Sequence, residues 1–283
     1  MRRTWSGTVA ALRGGMVRET LRGLSRVTPA LAESLALRMF STPPRPRPPI
    51  DPSPAGMPGA RRIFPWLGSS LVGWEWGAGP TVLLSHGWGG HAGHLTSFIA
   101  PLVAAGHTVV AFDHPAHGQS PGQRSNMLEF RDAVLAVARS CAPEAIIGHS
   151  LGATGTILAL DRGLRVGRVA LIAPPLDPAG FARPFAESLG LPEPRIRALE
   201  TRLHRFVRDD LGERDAVKVG GSQSLPALFI HDRDDRAVPF PQGEALAGSW
   251  RNSRFLATNG RGHRRILSDP DVVAAAVSFV TES

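Results

Sequence analysis

Gly148-His149-Ser150-Leu151-Gly152 stands between a short apolar run, Ala145-Ile146-Ile147, and a run of small and apolar residues from Ala153 to Leu160. That order predicts a strand, a one-residue corner and a helix. Ser150 falls on the corner, with its hydroxyl exposed at the carboxyl edge of a sheet. The glycines have a steric reason: the turn brings the positions two before and two after the serine close together, so neither easily carries a Cβ. The five-residue pattern recurs at Gly118-Gln119-Ser120-Pro121-Gly122, and chemistry separates the two. The residue after a nucleophilic serine must offer a backbone N–H to an oxyanion. Pro121 has none, whereas Leu151 does. Ser120 also lacks a preceding strand and reads as a loop residue.

A serine nucleophile needs a base, and the base needs an orienting acid. Leu225 to Ile230 reads as a buried strand that runs into His231-Asp232-Arg233-Asp234-Asp235-Arg236-Ala237-Val238-Pro239. Arg254 to Ala257 reads as another, followed by Asn259-Gly260-Arg261-Gly262-His263. Of the ten histidines, only His204, His231 and His263 follow Ser150, and only His263 also follows the acid candidates. His263 is therefore the expected base. The acid stays open among Asp232, Asp234 and Asp235, with Asp177 a weaker rival.

Five segments, in order, resemble the α/β-hydrolase superfamily in its serine esterase and lipase-like branch: His86-Gly87-Trp88-Gly89-Gly90, Asp113 to Ser120, residues 148–152, His231 to Pro239, and Gly262-His263. The likeness covers roughly residues 60–283. It implies an α/β fold: a mostly parallel central sheet flanked by helices, with a small helical cap; an N-terminal helical arm, read from apolar spacing, precedes it. It also implies Asp235 as the acid, four residues after the histidine of the post-strand loop. Asp232 stands where the family usually has glycine, and Ala116 replaces a common glycine; neither departure touches a catalytic position. The N–H groups of Trp88 and Leu151 would form the oxyanion hole, and Trp88 and His149 are assigned to substrate binding. The chemistry implied is cleavage of a small-molecule carboxylic ester through an acyl-enzyme, with no cofactor. Thioesters and C–C bonds are open to the same machinery.

Other classes fit parts of the chain. Gly87-Trp88-Gly89-Gly90-His91-Ala92 after a strand, with Asp113 ending the next, also fits the layout of a dinucleotide-dependent oxidoreductase. That layout leaves the elbow, Asp235 and His263 unexplained. His86, His91, His94, His114 and His117 are crowded enough to suggest a metal, but no further ligand set with carboxylate or cysteine spacing accompanies them. A non-catalytic ligand-binding protein of the same fold would not need the whole constellation.

The chain has 283 residues and a single cysteine, Cys141, which excludes an internal disulfide and fits a reducing, cytoplasmic compartment. The apolar run from Val9 to Leu12 breaks at Arg13, too short for a signal-peptide core. Net charge is +8, and residues 1–62 hold 11 arginines against Glu19, Glu33 and Asp51, so the arm carries the whole excess. Arginine far outnumbers lysine, which points to compositional bias more than to nucleic acid. Trp5, Val9, Leu12 and Met16, then Leu31, Leu35 and Met39, predict helices. Pro43 to Gly59 reads as an extended linker. The expected division is a basic arm and linker over 1–59 and a hydrolase domain over 60–283, its cap inserted at about 176–223. Within the cap, Phe181, Phe185 and Leu189 share one helical face, and Ile196, Leu199, Leu203 and Phe206 share another. The arm packs on the body or lies peripherally on an anionic membrane surface.

Overall fold

Strands covered on both faces must be nearly continuous apolar runs, and their alternation decides which layer each side chain joins. The computed structural model describes residues 14–46, 50–211 and 216–282. Its strands are β1 (Ala60–Trp66), β2 (Ser69–Trp76), β3 (Thr81–Ser85), β4 (Thr108–Phe112), β5 (Ala145–His149), β6 (Arg168–Ile172), β7 (Ala227–Asp232) and β8 (Ser253–Thr258). They form one sheet in the order β1-β2-β4-β3-β5-β6-β7-β8. β1 and β2 are antiparallel, β2 is antiparallel to β4, and every pair beyond is parallel. The helices are α1 (Gly14–Val27), α2 (Pro29–Phe40), α3 (Thr96–Ala104), α4 (Met127–Cys141), α5 (Leu151–Asp161), α6 (Ala182–Ser188), α7 (Glu193–Leu211), α8 (Ala216–Ser222), α9 (Phe240–Ser249), α10 (Gly262–Arg265) and α11 (Pro270–Thr281).

The alternation can be read strand by strand. Val82, Leu84, Ile147, Ile172 and Ile230 point to the layer that holds Phe98 and Leu102 of α3 and Val272 and Phe279 of α11. Leu83, Ile146, Leu171 and Phe229 point the other way, onto Val134 and Val137 of α4, Ile157 of α5 and Leu246 of α9. Each such buried side chain contributes roughly 2 kcal/mol by area.

The chain divides into two compact units, one of residues 45–176 with 215–283, the other of residues 1–44 with 177–214. The first contains the sheet. The second has its own core, in which Leu21 of α1 and Ala36 of α2 meet Phe185 of α6 and Ile196 and Leu199 of α7. Phe40 meets Phe185 edge-on, with ring centroids 5.3 Å apart. Arg18 donates from Nε to the Ser188 carbonyl (2.8 Å), and Arg195 pairs with Glu33 (2.6 Å). The apolar row of α7 ends before its helix does: Leu199 is buried, while Phe206 is 45% exposed. Arg45, in the expected linker, donates to the carbonyls of Ala116, Ser120 and Gly122. Ala216 and Val219 of α8 are buried in the sheet core. Trp5, Val9 and Leu12 lie outside the described residues.

Candidate active site

β5 ends at His149 and α5 begins at Leu151, so Ser150 alone makes the corner. Its backbone has φ +52° and ψ −126°, a sparsely populated conformation that typically costs about 1–3 kcal/mol. The Ser150 N–H is tied to the Ile172 carbonyl of β6 (2.8 Å). A Cβ on Gly148 would stand 2.8 Å from Ala153 Cα. One on Gly152 would meet not Gly148 but the ends of β3, with His86 O at 2.4 Å and Ser85 O at 2.5 Å.

His263 opens into this corner from α10. Its Nε2 lies 2.9 Å from Ser150 Oγ, and its Nδ1 lies 2.7 Å from Asp235 Oδ2. A carboxylate can only accept, so Nδ1 carries the ring proton and Nε2 is left to accept from the serine. Asp235 Oδ1 accepts the N–H groups of Ala237 (2.8 Å) and Val238 (2.9 Å). Burial alone would raise the Asp235 pKa, but hydrogen bonds from His231, His263 and the Val238 N–H hold it well below the usual carboxylate range. The structure thus brings Ser150, His263 and Asp235 into one hydrogen-bonded line.

The rival acids are placed elsewhere. Asp232 accepts from the backbone N–H groups of Asp234 and Arg261 and from the Thr258 hydroxyl. Asp234 accepts from the Gly260 N–H (2.8 Å). Asp177 lies in the helical unit, 3.5 Å from His204 Nε2.

The loop after β3 runs beside the serine, for a Cβ on Gly87 would lie 2.7 Å from Ser150 Cβ. Among the described residues, neither the Trp88 N–H nor the Leu151 N–H is engaged by an acceptor. The Trp88 ring is half-buried and meets His117 edge-on, centroids 5.0 Å apart. His149 is buried, and its Nε2–H donates to the His263 carbonyl (2.9 Å). Burial, with His263 nearby, holds its pKa well below the ordinary histidine range. The sequence carries no signal for this bond, since its acceptor is a backbone atom over a hundred residues away.

The crowded histidines have separate tasks. His86 donates from Nδ1 to the Gly87 carbonyl (2.8 Å) and accepts the His114 N–H at Nε2 (3.1 Å). His114 stacks on Phe130, with centroids 3.8 Å apart, and its Nε2 reaches Ser85 Oγ (2.9 Å). His91 accepts the Gly93 N–H. Among the described residues no group of three or more His, Cys, Asp or Glu is arranged to hold a metal ion. Asp113 accepts the N–H groups of Ala92 and Gln119, and burial raises its pKa to about 6. Ser120 is buried. Its Oγ accepts the Val72 N–H and donates to the Asp113 carbonyl, which commits it to the loop.

A family model described as the alpha/beta hydrolase family matches residues 82–276. The chain is 35% identical over 212 residues to a putative carbamate hydrolase, RutD, of Variovorax paradoxus strain S110, across 70% of this chain and 74% of that protein. It is 26% identical over 249 residues to a pimeloyl-acyl-carrier-protein methyl ester esterase of Xanthomonas campestris pv. campestris strain B100, across 71% and 94% of the two chains. The solved Pyrococcus furiosus esterase Pf2001 has the same fold, with a TM-score of 0.64 at 24% identity, covering 84% of this chain and 98% of that one. Sheet order, strand-to-helix corner and these likenesses agree: the chain belongs to the alpha/beta hydrolase family.

Proposed function

We propose that the protein is a serine hydrolase that cleaves small carboxylic esters through an acyl-enzyme. The observation that carries this reading is the single histidine joining Ser150 Oγ at 2.9 Å to Asp235 at 2.7 Å. Ser150 attacks the ester carbonyl while His263 Nε2 takes its proton. The charge that develops on the carbonyl oxygen is met by the N–H groups of Trp88 and Leu151, each worth a few kcal/mol in the transition state. His263 then returns the proton to the departing alkoxide. Water repeats the sequence in reverse and frees the acid. Asp235 fixes the imidazole tautomer and stabilises the imidazolium. The relatives named as a carbamate hydrolase and a methyl ester esterase support an acyl carbon bearing an alkoxy or amino leaving group.

Ser150→Ala should abolish hydrolysis of p-nitrophenyl butyrate, and Asp235→Asn should cost on the order of 10⁴-fold in turnover. Asp234→Asn should cost far less. A fluorophosphonate should label Ser150, read by peptide mass spectrometry. Labelling of Ser120, or none with turnover intact, would sink the reading. A panel of esters, thioesters and vinylogous diketones across acyl lengths separates ester chemistry from thioester and C–C cleavage.

Peripheral contact with anionic membrane is a second reading, for the arm alone. Met16 and Val27 are 72% and 81% exposed. Arg26 and Arg38, on the same two helices, carry no ion pair among the described residues. Among the described residues no helix is long and apolar enough to cross a membrane.

A further inference from the structure

The segment that presents His263 is short and irregular. It leaves β8 at Thr258 and contains two glycines at positive φ, Gly260 (+74°) and Gly262 (+64°). Arg265 ties the segment to itself, donating to the Arg261 and Gly260 carbonyls, but the Nε2–Oγ distance depends on how the segment is held to the sheet. The fixing comes from β7. Asp232, the last residue of that strand, has a fully buried side chain. Its Oδ1 accepts the Asp234 N–H (3.0 Å), and its Oδ2 accepts the Thr258 hydroxyl (2.7 Å) and the Arg261 N–H (3.0 Å). One of these donors, the Arg261 N–H, lies two residues before His263. Asp234 holds a second peptide group of the segment, through Gly260. From the far side, His149 Nε2–H holds the His263 carbonyl. The Arg261 guanidinium is turned elsewhere, onto Asp269 (2.6 Å). What the Asp232 carboxylate meets is therefore a set of N–H and O–H dipoles.

We propose that Asp232 is a positioning residue for the base: by holding the Arg261 N–H and the Thr258 hydroxyl it sets His263 Nε2 within reach of Ser150 Oγ, while Asp235 is the acid that meets the ring. The proposal rests on the reading of His263 as the general base. It assigns two acidic residues of one loop to different tasks, one holding the ring proton and the other holding the backbone that carries the ring. A displacement of about 1 Å at a reacting atom can cost on the order of 100-fold in rate, so a group that touches neither substrate nor imidazole can still govern turnover.

Asp232→Asn keeps the size of the side chain but turns one acceptor oxygen into a donor that faces N–H groups. In the full-length protein it should lower kcat for p-nitrophenyl butyrate about 10- to 100-fold, leave KM within about twofold, and slow fluorophosphonate labelling of Ser150 by a similar factor. The downfield proton resonance of His263 Nδ1–H should move or broaden, although Asp235 is intact. Thr258→Val removes one donor from the same oxygen and leaves the carboxylate, with a smaller expected loss of about threefold to tenfold in kcat. It carries the test if Asp232→Asn does not fold. A folded Asp232→Asn or Thr258→Val with wild-type kcat overturns the proposal, as does a loss confined to KM. His263→Ala keeps the two ideas apart. If it retains turnover the base assignment itself fails. If it is inactive while Asp232→Asn is unimpaired, only the positioning role fails.

Discussion

Burial first, then neighbouring histidines or arginine, holds His86, His91, His94, His114, His117 and His149 below the ordinary histidine pKa. For His117 the value is about 3. They are neutral in the fold and cationic in the unfolded chain at mildly acid pH. Their contribution to stability is complete above about pH 6.5 and is lost as pH falls toward their folded values. Asp113 works the other way. Its pKa, raised to about 6, gives stability that is present below about pH 4 and lost as pH rises through 6, so it offsets about one of those protons. Unfolding near pH 5 should therefore take up several protons net, and stability should fall steeply between pH 6 and 5, by on the order of 1.4 kcal/mol per pH unit for each proton. Urea titrations at half-unit pH steps measure this directly. A slope under about 1 kcal/mol per unit would mean that these rings are wet or protonated in the fold.

At the level of elements, the corner after β5 depends on what β3 leaves open. Gly152 has no room for a methyl group, because the carbonyl ends of Ser85 and His86 already occupy its position. Gly152→Ala should push α5 away from β3, cost about 1–3 kcal/mol or more, and reduce fluorophosphonate labelling even where the protein stays folded. Thermal melts and labelling rates check the two effects separately; a variant with wild-type values in both would mean that the corner is looser than its contacts imply. The corner, strands β3, β5, β7 and β8 and the pair Ser150–His263 were legible in the sequence, because each rests on local patterns: apolar runs, glycines and loop residues in fixed order. Asp235 came from the family resemblance, and β1 and β2 were not read. The reason for the second glycine was not legible, since it comes from a strand more than sixty residues away. Nor was the task of Asp232, whose partners are largely peptide N–H groups with no side-chain signature. His149 was expected at the substrate, but its ring nitrogen is committed to a carbonyl.

For the whole molecule, the informative feature is a helical unit assembled from two distant stretches of chain. Leu21, Ala32 and Ala36 are buried in it, so the arm is structural whatever else its arginines touch. Deleting residues 1–44 should uncover Phe185, Ile196 and Leu199 and lower the melting temperature or cause aggregation. If the truncated protein instead stays folded and active, and only binding to anionic vesicles is lost, the arm is a surface anchor whose hold weakens with salt.

This assembly also has a schedule. α1 and α2 leave the ribosome first, but the helices that bury their apolar faces are made roughly 150 residues later, which at 5–20 residues per second is roughly ten to thirty seconds. Throughout that interval the nascent chain displays a basic, amphipathic hairpin with no core to join. It is during synthesis, before any substrate is met, that these apolar faces stand uncovered.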